Sequence, residues 1–166
     1  MNKLVFRDAI AIKNFRPVND WLYRGGQPEV EDIDKLAEKG FRTIICLRWN
    51  LEAIKAELEE AQKCNLNFYS FPLSYWIFPT HKQIDNFLSI LDDKQKRPIY
   101  LHCKHGQDRV GMMTAIYRIA REGWTADEAY AEMKANGFRY IKMHQLKWAV
   151  YAFERRFKRE AKRDNA

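Results

Sequence analysis

Apolar positions along the chain change their spacing several times, and each change marks an element. Leu22-Tyr23-Arg24, followed by Gly25-Gly26-Gln27-Pro28, reads as a strand entering a turn. Residues 30–39 put Ile33, Leu36 and Ala37 on one helical face, and Gly40 stops that helix. Residues 43–47 form a compact β-branched run, the mark of a buried strand. Asn50 then caps a helix with Leu51, Ile54, Leu58 and Ala61 on one side, and residues 68–71 make a short strand ended by Pro72. Thr80 and Gln83 have capping-box spacing, after which Ile84, Phe87, Leu88 and Leu91 recur at helical intervals. Beyond a polar turn at 92–98, Ile99-Tyr100-Leu101-His102 is a strand. Residues 112–121 are helical up to Gly123. Thr125 and Glu128 form a second capping box, opening a helix that Asn136-Gly137 closes. The last helix, about 142–163, carries Leu146, Val150, Phe153 and Phe157 as a packing stripe. Strands alternating with helices predict an α/β domain with a central, mainly parallel sheet flanked by helices. Ligands on such sheets gather outside the carboxyl ends of the strands.

Composition narrows the class. A chain of 166 residues, 46% hydrophobic and 31% charged, fits one globular domain over 1–166 and excludes fibrous, disordered and disulfide-miniprotein classes. No run approaches the length of a membrane span. Residues 1–15 interleave Lys3, Arg7, Asp8 and Lys13 with the apolar positions and do not read as a secretory signal, so a cytoplasmic protein is expected. The net charge is +7, but four of those charges sit beyond residue 146, where seven basic residues face three acidic ones. That surplus reads as a solvated face of the basic C-terminal helix. It is not interleaved with stacking aromatics, which argues against nucleic acid as a partner. Three cysteines without a pairing pattern suggest neither disulfides nor zinc. Cys46 reads as a buried apolar residue and Cys64 as incidental.

Cys103 stands apart, at the carboxyl end of a strand. The segment His102-Cys103-Lys104-His105-Gly106-Gln107-Asp108-Arg109-Val110-Gly111 has a cysteine and an arginine six apart, framed by His102 and Gly106. On composition, that four-residue pattern arises by chance about three times in ten thousand. Its chemistry is an anion cradle with a nucleophile at the floor. Backbone N–H groups over residues 104–109 can curl around phosphate oxygens, and a helix starting near Val110 aims its N-terminus at the same point. Gly106 and Gly111 clear space where the backbone turns or approaches a ligand. Arg109 offers a planar fork for two oxygens, and with the N–H groups it favours a Cys103 thiolate. In-line attack on phosphorus would give a cysteinyl-phosphate that water hydrolyses, with no metal and no cofactor required.

At these residues the chain resembles the cysteine-based protein tyrosine phosphatase superfamily, whose loop is His-Cys-x-x-Gly-x-x-Arg-Ser/Thr. Leu22-Tyr23-Arg24-Gly25-Gly26-Gln27-Pro28 and Gly40-Phe41-Arg42-Thr43-Ile44-Ile45-Cys46-Leu47-Arg48 are similar to stretches of small bacterial dual-specificity-type members. The resemblance spans about 20–155 and implies a central, mainly parallel sheet and a metal-independent phosphomonoesterase. It departs from the family at two places. Val110 replaces the Ser or Thr whose hydroxyl helps the cysteine leave, and Thr114, one turn on, is too far to substitute. The region where members carry an acidic proton donor, Phe71-Pro72-Leu73-Ser74-Tyr75-Trp76-Ile77-Phe78-Pro79, has no carboxylate.

Asp108 is the substitute expected for that donor, since myotubularins and Sac-type lipid phosphatases also place Asp before the arginine. The other reading of Asp108 is a carboxylate that bonds loop N–H groups or pairs with a base. Asp85 and His81 are lesser candidates, and His102 is expected to orient the loop. Lys104, His105, Gln107 and Arg24 are expected to contact substrate beside Gly106 and Gly111. Lysine directly after the nucleophile resembles phosphoinositide 3-phosphatases and fungal-type phosphatases of inositol phosphates, and phytases of the same superfamily prefer heavily phosphorylated rings. An inositol polyphosphate is therefore the favoured substrate, ahead of a phosphoprotein. Tyr75, Trp76 and Phe78 would wall a phosphotyrosine or, as preferred here, anchor their loop. RNA 5′-phosphatases share a histidine at the His105 position. A rhodanese-type sulfurtransferase and a non-catalytic phosphate-binding module are the remaining alternatives, and a monomer is expected.

Overall fold

The computed structural model describes residues 10–74, 76 and 78–164. Contacts divide the chain into two compact units, Met1–Gly106 and Gln107–Ala166, each described in turn.

The first unit is built on a five-stranded sheet. Its strands are β1 (Arg16–Pro17), β2 (Leu22–Gly25), β3 (Thr43–Cys46), β4 (Asn67–Ser70) and β5 (Ile99–His102), in the order β1-β2-β5-β3-β4. Only β1 runs antiparallel, so the sheet is mainly parallel as expected. Every residue of β2, β3 and β5 is buried, Arg24 and His102 included, so these strands show no alternation of apolar and exposed polar positions. β1 pairs two residues with β2 and was not foreseen, because two residues carry no period.

Register fixes which side chains share a face. Tyr23, Tyr100, Ile44 and Phe68 lie side by side across β2, β5, β3 and β4. One step nearer the carboxyl ends, Gly25, His102, Cys46 and Ser70 form the next row of the same face. Helices α1 (Val30–Glu38) and α2 (Leu51–Lys63) supply Ile33, Leu36 and Ala61 to the core over this face. Phe15, Tyr23, Phe41 and Tyr100 meet there, with ring centroids 5.2 Å apart for Tyr23 and Phe41 and 5.6 Å for Phe15 and Tyr100. Aromatic pairs of this kind contribute about 0.5–1.5 kcal/mol each beyond the area they bury. Arg24 belongs to the opposite face.

The helix boundaries of this unit follow the capping signals. Asn50 accepts from the N–H groups of Glu52 and Ala53 at the start of α2. Thr80 and Gln83 close a reciprocal box at the start of α3 (His81–Asp92), which sets Phe87 against Phe71 at 6.2 Å. The buried stripe of α2 departs from expectation. Leu51 is 77% exposed, and the buried positions are Ile54, Glu57 and Ala61.

The second unit is three helices, α4 (Asp108–Glu122), α5 (Ala126–Ala135) and α6 (Tyr140–Asp164), with α4 packed on both others. α4 starts at Asp108, earlier than the pattern of apolar residues indicates, and ends at Gly123 with φ +73°. Its Arg118 pairs with Glu122 at 2.5 Å and Glu132 at 2.7 Å and lies 4.5 Å over Trp124. The expected Thr125–Glu128 box opens α5. Leu146, Val150 and Phe153 of α6 are buried, and Phe157 stacks on Phe153 at 5.7 Å. Among the described residues no helix is long and apolar enough to cross a membrane.

Candidate active site

Central strand β5 ends at His102, and the chain continues through Cys103 and residues 104–107 into α4. Cys103 is 3% exposed, at the carboxyl edge of the sheet where ligand chemistry was expected. Lys104 is exposed and His105 half-buried, while Asp108, Arg109, Val110 and Gly111 are all buried in the first turn of α4.

The loop is held by its main chain. The Lys104 carbonyl accepts from the Gln27 N–H at 3.3 Å, and the His105 carbonyl accepts from Asn14 Nδ2 at 2.8 Å. Gly106 has φ +70°, and a β-carbon there would stand 2.4 Å from the Gly25 carbonyl carbon. At Gly25 a β-carbon would meet the Tyr100 hydroxyl, also at 2.4 Å, and that hydroxyl donates to the Gly26 carbonyl at 2.6 Å. Gly25-Gly26 is therefore more than a turn signal, because it lets two backbones touch.

Arg24, expected to contact substrate, is 2% exposed, and its Nη2 donates to the Gly106 carbonyl at 3.2 Å. It supports the loop from inside. His102 is fully buried, stacked on Tyr100 with centroids 5.6 Å apart. Its Nε2 lies 2.5 Å from Glu57 Oε1. Glu57 Oε2 accepts from Gln27 Nε2 at 2.8 Å, and Gln27 Oε1 accepts from Arg48 Nη1 at 2.9 Å. Burial works against charge on the ring, but the Glu57 carboxylate and the neighbouring Cys46 sulfur outweigh it and raise His102 to about 10.

Asp108, expected as proton donor, accepts with both oxygens in the second unit. Oδ1 takes the Arg139 N–H at 3.0 Å, and Oδ2 takes Arg139 Nε at 2.9 Å together with Nη2. This is the alternative reading of Asp108, a carboxylate paired with a base. Gln107 lies over the α5–α6 turn, where a β-carbon on Gly137 would approach its Nε2 to 2.6 Å.

His81 and Asp85, the lesser donor candidates, are exposed on α3. Trp76 is 81% and Phe78 47% exposed, so they do not anchor their loop; Phe71 and Leu73 are the buried members of that stretch. Tyr75 lies outside the described residues. Cys64 donates to Asp34 at 3.0 Å, and that bond, with burial, raises its thiol to about 11. Asp34, Glu60 and Cys64 are close enough together to hold a cation, and the thiol is one of the three groups.

Sequence reasoning missed Glu57, Gln27 and Arg139. For Glu57 a signal existed, since it shares the helical phase of Ile54 and Ala61 and a carboxylate on a core-facing phase demands a partner. For Arg139 no local signal existed, because its partner is 31 residues away.

Comparison with known proteins agrees with this geometry. The dual specificity protein phosphatase TpbA of Pseudomonas aeruginosa is 29% identical over 132 residues, covering 75% of this chain and 55% of TpbA. The inositol diphosphatase DSP5 of Arabidopsis thaliana is 29% identical over 145 residues, covering 81% of this chain and 64% of DSP5. The chain thus spans about half the length of TpbA. Among solved structures, the catalytic core of the PP-IP phosphatase SIW14 from S. cerevisiae superposes with a TM-score of 0.72 at 21% identity, covering 95% of this chain and 96% of that one. TpbA itself superposes with a TM-score of 0.71 at 20% identity over 88% and 91% of the two chains. Residues 8–150 match the family model described as DSP-PTPase phosphatase fused to NAD+ kinase, and the chain belongs to that family of cysteine-based phosphatases.

Proposed function

We propose that the chain hydrolyses phosphomonoesters through a cysteinyl-phosphate on Cys103, and that its substrate is a highly anionic small molecule, an inositol polyphosphate. In the first step the Cys103 thiolate attacks phosphorus, the P–O bond to the leaving group breaks, and that oxygen takes up a proton from solvent. In the second, water attacks phosphorus and returns a proton to solvent, the S–P bond breaks, and inorganic phosphate departs with the thiolate restored. The N–H groups of residues 104–109, the N-terminus of α4 and the Arg109 guanidinium neutralise the equatorial oxygens, which leaves no task for a metal. Gly106, Gln107 and Gly111 shape the cradle. Asp108 is paired with Arg139.

The observation that carries the substrate reading is the contrast along the loop. Cys103, Asp108, Arg109 and Val110 are buried, whereas Lys104 is exposed and His105 half-exposed, where a second phosphate of a polyphosphorylated ring would need cations. Two Arabidopsis thaliana relatives are named inositol diphosphatases, which supports the same class. A phosphoprotein is the second reading, favoured by the exposed rings of Trp76 and Phe78 and by the dual-specificity name of TpbA.

The test is phosphate release from inositol hexakisphosphate, phosphotyrosine and phosphoserine peptides, p-nitrophenyl phosphate and a 5′-triphosphorylated RNA, with Cys103→Ser as blank. Release from the inositol compound well above the peptides is expected, and Lys104→Ala should depress it selectively. Preference for peptides would transfer the assignment to the second reading. Silence on every substrate would make the chain a phosphate-binding module.

A further inference from the structure

Helix α6 carries the surplus charge of the chain, and folding sorts its residues by chemistry. Beyond a kink at Met143, residues 144–163 span about 30 Å as one helix. Leu146, Val150 and Phe153 are buried on the side that meets α4 and α5. At helical spacing, the opposite side is a line of His144, Trp148, Tyr151, Arg155, Arg159 and Lys162. No acidic residue falls on that line. Glu154 takes Lys158 at 2.7 Å on its margin, and Glu160 takes Arg156 at 3.5 Å nearer the buried side.

The two ends of the line differ in character. Its last two turns are cationic: Arg155, Lys158, Arg159 and Lys162 are exposed, and with Ala152 they border a cleft of about 530 Å³. Its beginning is aromatic and apolar. Trp148 is 51% exposed, and Tyr140 and Ile141, just before the kink, are 46% and 92% exposed. The Lys147 ammonium lies 4.6 Å from the Tyr130 ring centre, 5.3 Å from Trp148, 5.4 Å from Tyr151 and 5.5 Å from Tyr140. Four rings around one cation hold this end together, and the Tyr151 hydroxyl donates to Asp127 at 2.5 Å.

Two kinds of large anion have chemistry that meets such a surface. A single-stranded nucleic acid stacks successive bases on rings that alternate with cations along its track. On α6 the rings are gathered at one end around Lys147 and the cations at the other, and Ile141 has no face for a base. A bilayer asks for the arrangement that α6 has. Cations meet its phosphates, while tryptophan and aliphatic side chains sit at headgroup depth. The apolar side of α6 is already used within the fold, so the helix lies on such a surface rather than sinking into it.

We propose that the outer side of α6 is a docking surface for an anionic phospholipid bilayer, with Arg155, Arg159 and Lys162 on the lipid phosphates and Trp148 and Ile141 at headgroup depth. Charge selects this occupant, since the line carries cations and no acid. The surface lies outside the chemistry assigned to Cys103 and stands independently of it.

The experiment is sedimentation of the full chain with vesicles of phosphatidylcholine alone, or with about 30% phosphatidylserine, at about 0.1 M salt. Binding to the mixed vesicles should be at least about tenfold tighter than to the neutral ones. Each cation near such a surface contributes about fivefold, so Arg155→Gln/Arg159→Gln/Lys162→Gln should weaken binding about a hundredfold. Those side chains are exposed, and a thermal melt equal to wild type verifies the fold of the variant. A second readout tests the apolar end. Brominated lipid in the mixed vesicles should quench the tryptophan fluorescence of the wild-type chain, and Trp148→Phe should remove most of that quenching. Equal binding to both vesicles, binding to neither, or a triple variant that binds as wild type overturns the proposal. Quenching unchanged in Trp148→Phe overturns it too. An oligouridylate that strips the chain from mixed vesicles at concentrations below those of the lipid would give the surface to nucleic acid, and the proposal would fall. None of these readouts uses turnover at Cys103.

Discussion

Three positions of the loop set its chemistry side chain by side chain. Gly106 combines φ +70° with a backbone approach that leaves no room for a β-carbon against Gly25. Gly106→Ala should therefore displace the loop, and a displacement near 1 Å costs about a hundredfold in rate. The check is kcat/KM for p-nitrophenyl phosphate beside a thermal melt, with activity lost far more than fold. Val110 is fully buried where the family carries a hydroxyl, so departure of the Cys103 sulfur should be slow. Rapid-quench kinetics are expected to show a burst. Val110→Ser should speed the second step about tenfold, the worth of one hydrogen bond to a charged group. For Asp108, engaged by Arg139 through both oxygens, Asp108→Asn should lower turnover of alkyl phosphates and of p-nitrophenyl phosphate by similar factors. A loss concentrated on the alkyl esters, whose leaving groups need a proton, would restore it as the acid.

Elements were legible where a local rule sufficed. The two capping boxes and the Asn50 cap gave α2, α3 and α5 their starts, and short runs rich in apolar residues marked β2, β3 and β5, because those signals act within a few residues. The start of α4 was not legible. Asp108 and Arg109 belong to its first turn, but their partners are set by tertiary structure rather than by any stripe. The inward phase of α2 was misjudged for the same reason, since Glu57 is buried by its partner on β5 and not by apolarity. That helix–strand pair carries a pH signature. The His102 ring is raised from 6.5 to about 10 in the folded chain, so its stabilisation is complete below pH 6.5 and is lost as pH climbs toward 10. Unfolding free energy should fall over that window, by roughly 1–3 kcal/mol, in urea titrations. Glu57→Gln should flatten the slope, and an equal slope in both proteins would refute the linkage.

At the scale of the whole molecule, most of the charge is legible in the sequence. To the +7 counted with neutral histidines folding adds the protonated His102, and the basic positions of α6, Arg155, Lys158, Arg159 and Lys162 among them, are exposed. Partners within the helix, such as Glu154 with Lys158 at 2.7 Å and Glu160 with Arg156 at 3.5 Å, offset only some of them. A polyanionic substrate should feel that field. Raising salt from about 0.05 to 0.3 M should lower kcat/KM for inositol hexakisphosphate by roughly tenfold and for p-nitrophenyl phosphate much less. Equal sensitivity would show that the surplus charge does not serve capture of the substrate.

The loop is fastened at Lys104 and His105 through their carbonyl oxygens, while the Lys104 residue is exposed and His105 half-buried. An anchor made of main chain is indifferent to the identity of the residue that provides it. Substitution at these two positions therefore leaves both anchoring hydrogen bonds available, and the loop below them keeps its path. A library randomised at 104 and 105 alone would be the natural place to look for new specificities on this scaffold.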